Sequence, residues 1–350
     1  MIKEAIKKLV DEIDLAGEEA SGAMNDIMSG TATPGQIAGF LVALRMKGET
    51  VDEIVALAKT MRNFSVKIKP AVNSLTDIVG TGGDTIKTIN ISTIASFVVA
   101  AAGINVAKHG NRAASGKCGS ADVLERLGYK LDTPPEIVQK CIESVGIGFM
   151  FAPIFHPAMK NAVMPRKELG IRTTFNLLGP LTNPAGAELL VIGVPSLDLV
   201  ERIAKCLKAL GTKNAMVVHG IDGLDEVSTI GNTHVIHLHD GAFTARLYSP
   251  EDMGLKKASV TEIVGEDIDS NAKAAYMILA NRMKEGAKVQ AVIANAAAGF
   301  VVAQKAKDLK EGAQMAKETL SSGRCIDKLK SMVLFTKGDI SKIEQFEAAS

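Results

Sequence analysis

The chain has 350 residues, of which 47% are hydrophobic and 23% are charged, and its 40 basic and 39 acidic side chains nearly cancel. This composition is typical of a globular protein, and the length predicts roughly two domains. A formal net charge of +1 provides no basic field for extended nucleic-acid binding, so we expect no nucleic-acid partner.

The cysteines and the first residues indicate the compartment. Cys118, Cys141, Cys206 and Cys325 lie far apart and form no CxxC pair, which disfavours a zinc ribbon or a disulfide framework. Residues 1–8 carry charges where a signal peptide would place its apolar core. We therefore expect reduced thiols in a cytoplasmic protein.

One segment has the length of a membrane-spanning helix. Residues 88–107 contain no formally charged side chain, and about 20 apolar residues suffice to cross a bilayer. The same segment contains Asn90, Ser92, Thr93 and Asn105, which are costly to bury in lipid. We expect a buried helix followed by a buried strand, and no membrane partner.

The first 65 or so residues predict a module of short helices. The segments that begin at Thr33 and Thr50 place a capping hydroxyl three residues before Gln36 and Glu53, which is the pattern of a capping box. Apolar residues at helical spacing follow both caps. The polar, proline-containing stretch 66–74 predicts a linker.

Strands and helices then alternate, which favours a largely parallel α/β sheet. Predicted strands cover residues 75–79, 104–107, 189–194 and 215–218. Predicted helices cover residues 91–102, 121–127, 137–145, 156–170 and 197–210, and most of the chain after residue 269. A capping box at Thr133 is expected to open the third of these helices, while residues 177–184, rich in Gly, Pro and Asn, predict a loop.

A glycine-rich segment, GTGGD at residues 80–84, follows the first predicted strand of the sheet. Three glycines let backbone amides approach an anion closely, and the helix expected to start near Asn90 adds the positive end of its dipole. The segment matches neither GxxxxGK(S/T) nor GxGxxG, the nucleotide-binding fingerprints. It predicts a phosphate or pyrophosphate site, and a simple strand-to-helix turn is the alternative.

Three polar side chains stand at the start of that helix. Helix capping by itself explains Asn90. Ser92 and Thr93 lie two and three residues further along the chain, where a hydroxyl gains less from capping. Their hydroxyls are better placed for a phosphate or a magnesium ion.

A second polar loop, residues 108–120, again lies between a predicted strand and a helix. Its three cations, three glycines and two hydroxyls favour a second anion site over a solvated basic loop. Loops at the carboxyl ends of parallel strands bind ligands in such folds, so we expect both loops to face one crevice. Cys118 has no evident base partner and is interpreted as inert packing.

The carboxylate pair Asp225 and Glu226 follows another predicted strand. Adjacent acids on a loop are commonly solvated charge. However, magnesium takes one or two carboxylates together with phosphate oxygens. The two anion loops therefore favour a metal site here.

Two further features have ordinary structural interpretations. His237 and His239 would share one face of a strand while His234 points the other way, which favours a polar strand face over a metal site. Arg166, taken without its context, is typical of a helix surface.

Eight motifs, in order along the chain, resemble those of the anthranilate phosphoribosyltransferase family. They are ALRMKG at 43–48, DIVGTGGD at 77–84, NIST at 90–93, KHGNR at 108–112, GSAD at 119–122, HPAM at 156–159, FNLLGPLTNP at 175–184 and GLDE at 223–226. A single motif of this kind is unspecific, but the eight occur together in the order of the family, and the resemblance covers nearly the whole chain.

The resemblance implies the α/β fold class, with a small N-terminal all-helical domain packed on a larger α/β domain that has a mostly parallel central sheet. It implies that residues 1–68 form the helical domain, joined by helices from about 160–185. Residues 74–159 and 186–350 would form the phosphoribosyl-binding domain. A homodimer formed through the helical domain is also implied.

The resemblance implies a reaction as well. Family members transfer the phosphoribosyl group of 5-phosphoribosyl 1-pyrophosphate (PRPP) to the amine of anthranilate and release pyrophosphate, the second step of tryptophan biosynthesis from chorismate. The implied small-molecule partners are anthranilate and PRPP. The implied cofactor is Mg²⁺, as two ions.

The functional positions of the family carry over residue by residue. Lys108 and Asp84 would be catalytic; Ser92, Asp225 and Glu226 would bind magnesium; and Gly80, Asn111 and Arg166 would bind anthranilate. The implied PRPP-binding residues are Gly80, Gly83, Asp84, Thr88, Asn90, Ile91, Ser92, Thr93, Lys108, His109, Gly110, Asn111, Arg112, Ala113, Ala114, Ser115, Gly116 and Ser120. Cys118 stands where the family commonly has serine.

Two rival functions remain. A pyrimidine nucleoside phosphorylase shares the fold family and a glycine-rich phosphate loop, but those enzymes are longer and their lysine loop differs from KHGNR. A non-catalytic relative that binds nucleic acid would gain little affinity from a net charge of +1.

Overall fold

The computed structural model describes residues 1–84, 86–113 and 118–349. The helices are α1 (Ile2–Val10), α2 (Gly17–Met28), α3 (Pro34–Lys47), α4 (Val51–Asn63), α5 (Ile91–Ala101), α6 (Ser120–Arg126), α7 (Pro135–Val145), α8 (Ala152–Phe155), α9 (Lys160–Leu169), α10 (Thr174–Leu181), α11 (Leu197–Ala209), α12 (Val260–Ile263), α13 (Ile268–Leu279), α14 (Ala287–Val302), α15 (Leu309–Ser321), α16 (Arg324–Phe335) and α17 (Ser341–Ala348). The strands are β1 (Thr76–Gly80), β2 (Val106–Gly110), β3 (Ile147–Phe151), β4 (Leu189–Gly193), β5 (Asn214–Gly220), β6 (Thr233–His239) and β7 (Ala242–Tyr248).

The helices α1–α4 form an N-terminal bundle, and both predicted capping boxes are confirmed. Thr33 accepts a hydrogen bond from the Gln36 amide at 3.3 Å, and the Gln36 side chain accepts one from the Thr33 amide at 2.9 Å. Thr50 and Glu53 make the same exchange at 3.2 and 2.8 Å. Each box satisfies amides that a helix start leaves without partners. The later helices α9 and α10 pack against α3 and α4.

The bundle also explains the basic residue at the end of α3. Lys47 donates to Glu53 at 2.9 Å and to Asp14 at 2.7 Å, and Glu53 is fully buried. The second oxygen of the Glu53 carboxylate accepts from the Leu15 amide at 2.8 Å. A buried carboxylate that is paired and hydrogen-bonded in this way is structural.

The described strands form one sheet in the order β3-β2-β1-β4-β5-β6-β7. The first five strands in this order, β3, β2, β1, β4 and β5, are parallel to one another. The pairs β5–β6 and β6–β7 are antiparallel. The prediction of a largely parallel sheet is therefore confirmed. In such a sheet the chain turns to opposite sides at the reversal of strand order, here between β1 and β4, and a crevice opens at their carboxyl ends.

Hydrophobic cores cover both faces of the sheet. In β4, Val191 faces the core that contains α5 and α14, while Leu190 and Ile192 face the core shared with the helical bundle. Because side chains alternate along a strand, a strand covered on both sides must be apolar at successive positions. The uncharged segment 88–107 becomes the buried helix α5 and the start of β2, as predicted. No helix in the described part of the chain is long and apolar enough to span a membrane.

Two local predictions are wrong. Residues 177–184 were expected to form a loop, but α10 extends to Leu181 and includes Pro180. Pro180 lies in the last turn, where its missing N–H removes one hydrogen bond, and burial of the apolar side chains of α10 offsets that loss. The capping box at Thr133 does not form, because Pro134 is the N-cap and the Thr133 hydroxyl donates to the Lys130 carbonyl.

Candidate active site

A cleft of about 820 Å³ lies at the carboxyl ends of β1 and β2. Because β1 and β2 are parallel neighbours, the glycine loop (residues 80–84) and the second loop (residues 108–120) meet at one edge of the sheet. The loop between β5 and β6 brings Asp225 and Glu226 to the same cleft. These three segments, far apart in sequence, form its floor.

The glycine loop packs directly on the acidic pair. The Gly82 amide donates to Oδ2 of Asp225 at 2.7 Å. A Cβ atom added to Gly80 would lie 2.3 Å from the same oxygen. Gly82 and Gly83 have φ angles of 68° and 90°, a region that favours glycine. The glycines are therefore required by both close approach and backbone conformation.

The second loop is held by its own helix. Oδ2 of Asp122, on α6, accepts from the Gly119 amide at 2.8 Å and from the Ala113 amide at 3.2 Å. The Arg112 guanidinium pairs with Asp122 and with Glu125, both at 2.8 Å. Ser120 donates from its hydroxyl to the Asn111 carbonyl at 3.2 Å. Arg112 is consequently engaged with carboxylates of the protein itself.

Lys108, at the base of the second loop, is buried against β1. Its Nζ donates to the Ile78 carbonyl at 2.8 Å. Burial lowers the pKa of Lys108, and the nearby charges of Asp77 and Glu226 raise it. Burial also raises the pKa of Asp77 to about 6. A buried lysine therefore lies close to the charges of Asp77 and Glu226.

Asn90 is not a side-chain cap, contrary to its simplest interpretation. It occupies the N-cap position of α5 without a capping hydrogen bond. Its Nδ2 donates to the Cys118 carbonyl at 3.3 Å, and its Oδ1 accepts from Asn271 of α13 at 3.1 Å. The carboxamide therefore connects the start of α5 to the second loop. Burial raises the pKa of the Cys118 thiol to about 11, which agrees with inert packing.

The surroundings of Asp225 and Glu226 disfavour ionisation of both side chains. Burial raises the pKa of Asp225 to about 7, with a further contribution from the charge of Asp84. Burial and the charge of Asp225 raise the pKa of Glu226 well above its usual value. The Ser92 amide donates to Glu226 at 3.3 Å, which places the start of α5 next to the acidic pair.

This donor set fits a magnesium ion that substrate oxygens complete. Magnesium prefers few carboxylates, retains waters and binds substrate phosphates. In the described residues no group of three or more His, Cys, Asp or Glu side chains is arranged to hold a metal by itself. A divalent cation would favour the ionised form of both acids, whose pKa values are raised by burial and by neighbouring carboxylates.

The structure brings most of the expected site residues together. The predicted positions that line the cleft are Gly80, Gly83, Asp84, Thr88, Asn90, Ile91, Ser92, Thr93, Lys108, His109, Gly110, Asn111, Arg112, Ala113, Ser120, Asp225 and Glu226. Ala114, Ser115 and Gly116 lie outside the described residues. Arg166 does not line the cleft; its guanidinium lies 5.2 Å from the centre of the Phe175 ring. The histidines of β6 lie apart from the cleft, with the rings of His237 and His239 5.8 Å apart.

Several residues that line the cleft were missed by the sequence analysis. They are Lys87, Arg172, Asn176, Gly265, Glu266 and Asn271. Arg172 had one available signal, since it is a cation three residues before the motif that begins at Phe175. The segment around Gly265 had none, because a β-bridge between Thr88 and Val264 brings it to the cleft.

Two protein-family models match this chain. Residues 72–326 match the model of the glycosyl transferase family, a/b domain, and residues 3–65 match that of the glycosyl transferase family, helical bundle domain. Anthranilate phosphoribosyltransferase from Geobacter sp. (strain M21) is 46% identical over 350 residues, covering 96% of this chain and 99% of that protein. The chain belongs to the anthranilate phosphoribosyltransferase family.

Solved structures agree over nearly the full length. The crystal structure of anthranilate phosphoribosyltransferase from Thermus thermophilus is 44% identical, has a TM-score of 0.90, and is matched over 95% of this chain and 99% of that chain. The enzyme from Saccharomyces cerevisiae in complex with PRPP and Mg is 26% identical, with a TM-score of 0.88 over 96% and 98% of the two chains. The N-terminal helical bundle and the larger α/β part are thus features of the family.

Proposed function

We propose that the chain transfers the phosphoribosyl group of PRPP to the amine of anthranilate, giving N-(5-phosphoribosyl)anthranilate and pyrophosphate, in tryptophan biosynthesis. The observation that carries this proposal is the convergence of two amide-rich loops and a buried acidic pair in one cleft. An anion with two phosphate groups and a divalent cation fits that arrangement. Its cofactor is Mg²⁺, bound as two ions by Ser92, Asp225 and Glu226.

The donor occupies the floor of the cleft in this proposal. The glycine loop and the start of α5 contribute amides and the hydroxyls of Ser92 and Thr93, and the second loop contributes Lys108 and the amides from Gly110 onward. The hydrogen bonds from Gly82 to Asp225 and from Ala113 and Gly119 to Asp122 restrain these segments, so they lose less freedom when an anion binds. Asp84, at the end of the glycine loop, would be a catalytic residue that contacts PRPP.

The charges that develop during the proposed reaction account for the residue types in the cleft. Displacement of pyrophosphate from the anomeric carbon builds positive charge on the ribose ring and negative charge on the leaving group. Lys108 would stabilise the leaving group by its charge. Bound Mg²⁺ supplies further charge stabilisation for the phosphate oxygens. The aniline nitrogen of anthranilate is neutral near pH 7 and attacks without a strong general base, so the site needs no nucleophile-base pair.

The acceptor is proposed to bind beside the donor, at Gly80, Asn111 and Arg166. Arg166 would fix the carboxylate of anthranilate in a charge-assisted pair. Burial lowers the pKa of Arg166, so a carboxylate partner would be favourable for it. To reach the cleft, its guanidinium would leave its position over the Phe175 ring.

The assembly and the location complete the proposal. We propose a cytoplasmic homodimer formed through the helical domain, which comprises residues 1–68 and the helices within 160–185. Met46 on α3 is 82% exposed, and Val163 and Met164 on the adjacent α9 are 52% and 55% exposed. An apolar patch of this kind is typical of a protein interface. Sedimentation of the Met46→Lys variant should show a shift toward monomer.

The fluorescence of anthranilate tests the reaction. The purified protein, PRPP and Mg²⁺ should together abolish the anthranilate signal, and mass spectrometry should find the phosphoribosylated product. Omission of PRPP or chelation of Mg²⁺ should each preserve the signal. A folded protein that leaves anthranilate unchanged under the complete conditions would overturn the proposal.

A further inference from the structure

The cations of the cleft differ in what they are bound to. Of the lysine and arginine side chains among the described residues that line it, Lys108 is bound to a buried carbonyl and Arg112 to two carboxylates. Lys87 donates to the Asp84 carbonyl at 3.2 Å. Arg172 instead directs its guanidinium at the glycine loop itself.

Arg172 holds two consecutive carbonyls of that loop. It lies between α9 and α10, on the helical side of the cleft, and its Nη1 donates to the Gly82 carbonyl. Its Nη2 donates to the Thr81 carbonyl at 3.4 Å. The planar guanidinium is suited to such a paired contact, because its donors form a rigid fork. Burial lowers the pKa of Arg172, the charge of Arg45 lowers it further, and the charges of Asp225 and Asp84 act in the opposite direction.

The opposite side of the loop is held by Asp225. The peptide group between Thr81 and Gly82 directs its carbonyl at Arg172 and its N–H at Asp225. In a planar trans peptide the carbonyl and the N–H point in opposite directions. The Gly82 carbonyl contact therefore turns the Gly83 N–H away from Arg172. Together the two side chains fix the direction in which the loop presents its amides.

Gly83 fits the guanidinium closely. A Cβ atom added at this position would lie 1.1 Å from Nη1 of Arg172. The φ angle of Gly83, 90°, also disfavours other residues. The position thus needs glycine for its backbone and to admit the arginine.

Arg45 connects this contact to the helical bundle. It lies in the last turn of α3, and its Nη1 donates to the backbone carbonyl of Arg172 at 2.7 Å. In the ALRMKG motif, Lys47 serves the internal packing of the bundle, whereas Arg45 reaches the segment that carries Arg172. A continuous set of hydrogen bonds therefore runs from α3 to the glycine loop.

We propose that Arg172, supported by Arg45, is a positioning residue that holds the glycine loop in its anion-binding conformation from the helical side of the cleft. This inference rests on the proposed function, because it assigns the loop to PRPP. It predicts that the helical domain contributes to donor affinity through these two arginines. Anthranilate binding to the loaded enzyme should depend on them much less.

The test measures PRPP binding by calorimetry with Mg²⁺ in excess, and the KM of each substrate, for wild type and for Arg172→Ala, Arg172→Lys, Arg45→Ala and the double alanine variant. Arg172→Ala should weaken PRPP binding about tenfold or more, since it removes two hydrogen bonds that a charged group donates to the loop. The KM for anthranilate at saturating PRPP should change less than about twofold on the same reasoning. Arg246→Ala, at an exposed arginine of β7, is the matched control and should bind PRPP as wild type does.

Two comparisons separate positioning from simple charge. Lysine supplies the charge without the fork, so Arg172→Lys should restore only part of the lost affinity. Arg45→Ala should have a smaller effect, and it should add little to Arg172→Ala because both act through one contact. Thermal melts should establish that each variant is folded. If Arg172→Ala does not fold, Arg172→Lys provides the test instead.

Unchanged PRPP affinity in Arg172→Ala, complete rescue by lysine, or an equal rise in both KM values would each overturn the positioning role. The wild-type titration separates this inference from the proposed function. A wild-type protein that binds no PRPP contradicts the function itself. A wild-type protein that binds PRPP, alongside an Arg172→Ala variant that binds it equally well, contradicts only the role of Arg172.

Discussion

The glycine loop and the second loop of the cleft are stabilised in different ways. The second loop is held by Asp122, which is only 3 residues from Gly119 and 9 from Ala113. The glycine loop is held by Asp225, 143 residues from Gly82, and by Arg172, 90 residues from it. The Asp122 contacts with the second loop are thus local in sequence. The conformation of the glycine loop depends on the folding of the whole chain and on the contact between the helical part and the α/β part of the protein.

The largest effect is expected from the acids beneath the glycine loop. The double variant Asp225→Asn with Glu226→Gln should lower kcat/KM about 10³-fold, because it replaces the two anionic metal ligands with neutral amides. Its Mg²⁺ titration should shift to higher concentration. Its melting temperature should hold or rise, since buried acids that repel each other become neutral amides. An unchanged Mg²⁺ titration would refute the metal assignment.

A residue outside both loops should affect the acceptor alone. Arg166→Ala should raise the KM for anthranilate about 30-fold, since it removes a charge-assisted pair worth about 2 kcal/mol. The KM for PRPP should stay within about twofold on the same reasoning. Steady-state kinetics with each substrate varied in turn provide the measurement. Equal changes in both KM values would remove Arg166 from the acceptor site.

The strand that leads to the second loop should make stability sensitive to acid. The rings of His109 on β2 and of His156 lie 5.0 Å apart, and burial lowers their pKa values to about 3 and about 4. A buried histidine that stays neutral loses stability as the pH falls from about 6.5, where the unfolded chain takes up a proton, toward its folded pKa. Between pH 7 and pH 5, His156 should account for a loss of about 2 kcal/mol.

The variant His156→Gln isolates this contribution. Asp77 works in the opposite direction, because its raised pKa makes the folded protein take up a proton over the same range. Denaturant unfolding at both pH values should therefore show a loss of stability that is smaller in the variant than in wild type. An identical loss in both proteins would contradict the buried neutral histidine.

The smallest effect is expected from the local contacts of the second loop. Asp122→Ala should raise the KM for PRPP about tenfold, because it frees two loop amides and removes one of the two carboxylate partners of Arg112. Glu125→Ala removes only the exposed partner of Arg112 and serves as the control, with an effect near zero. If Asp122→Ala matched the acid-pair variant in severity, the contrast between the two loops would not hold.

The same contrast explains what the sequence could predict. Capping boxes, the alternation of strands and helices, and the position of each loop after a strand depend on neighbouring residues, so they can be read locally. Arg172 could not be placed, because its partners are carbonyls of a distant segment. Asn90 has the right type and position for a cap, but Asn271 and Cys118 compete for its carboxamide. In α10, tertiary burial outweighed a composition typical of loops.

The most direct test is a calorimetric titration of the folded protein with PRPP in the presence of excess Mg²⁺. The account predicts saturable binding of one PRPP per chain. It also predicts that chelation of Mg²⁺, or the Asp225→Asn and Glu226→Gln double substitution, strongly weakens that binding. A well-folded wild-type protein that gives no heat of association over the same range would contradict it.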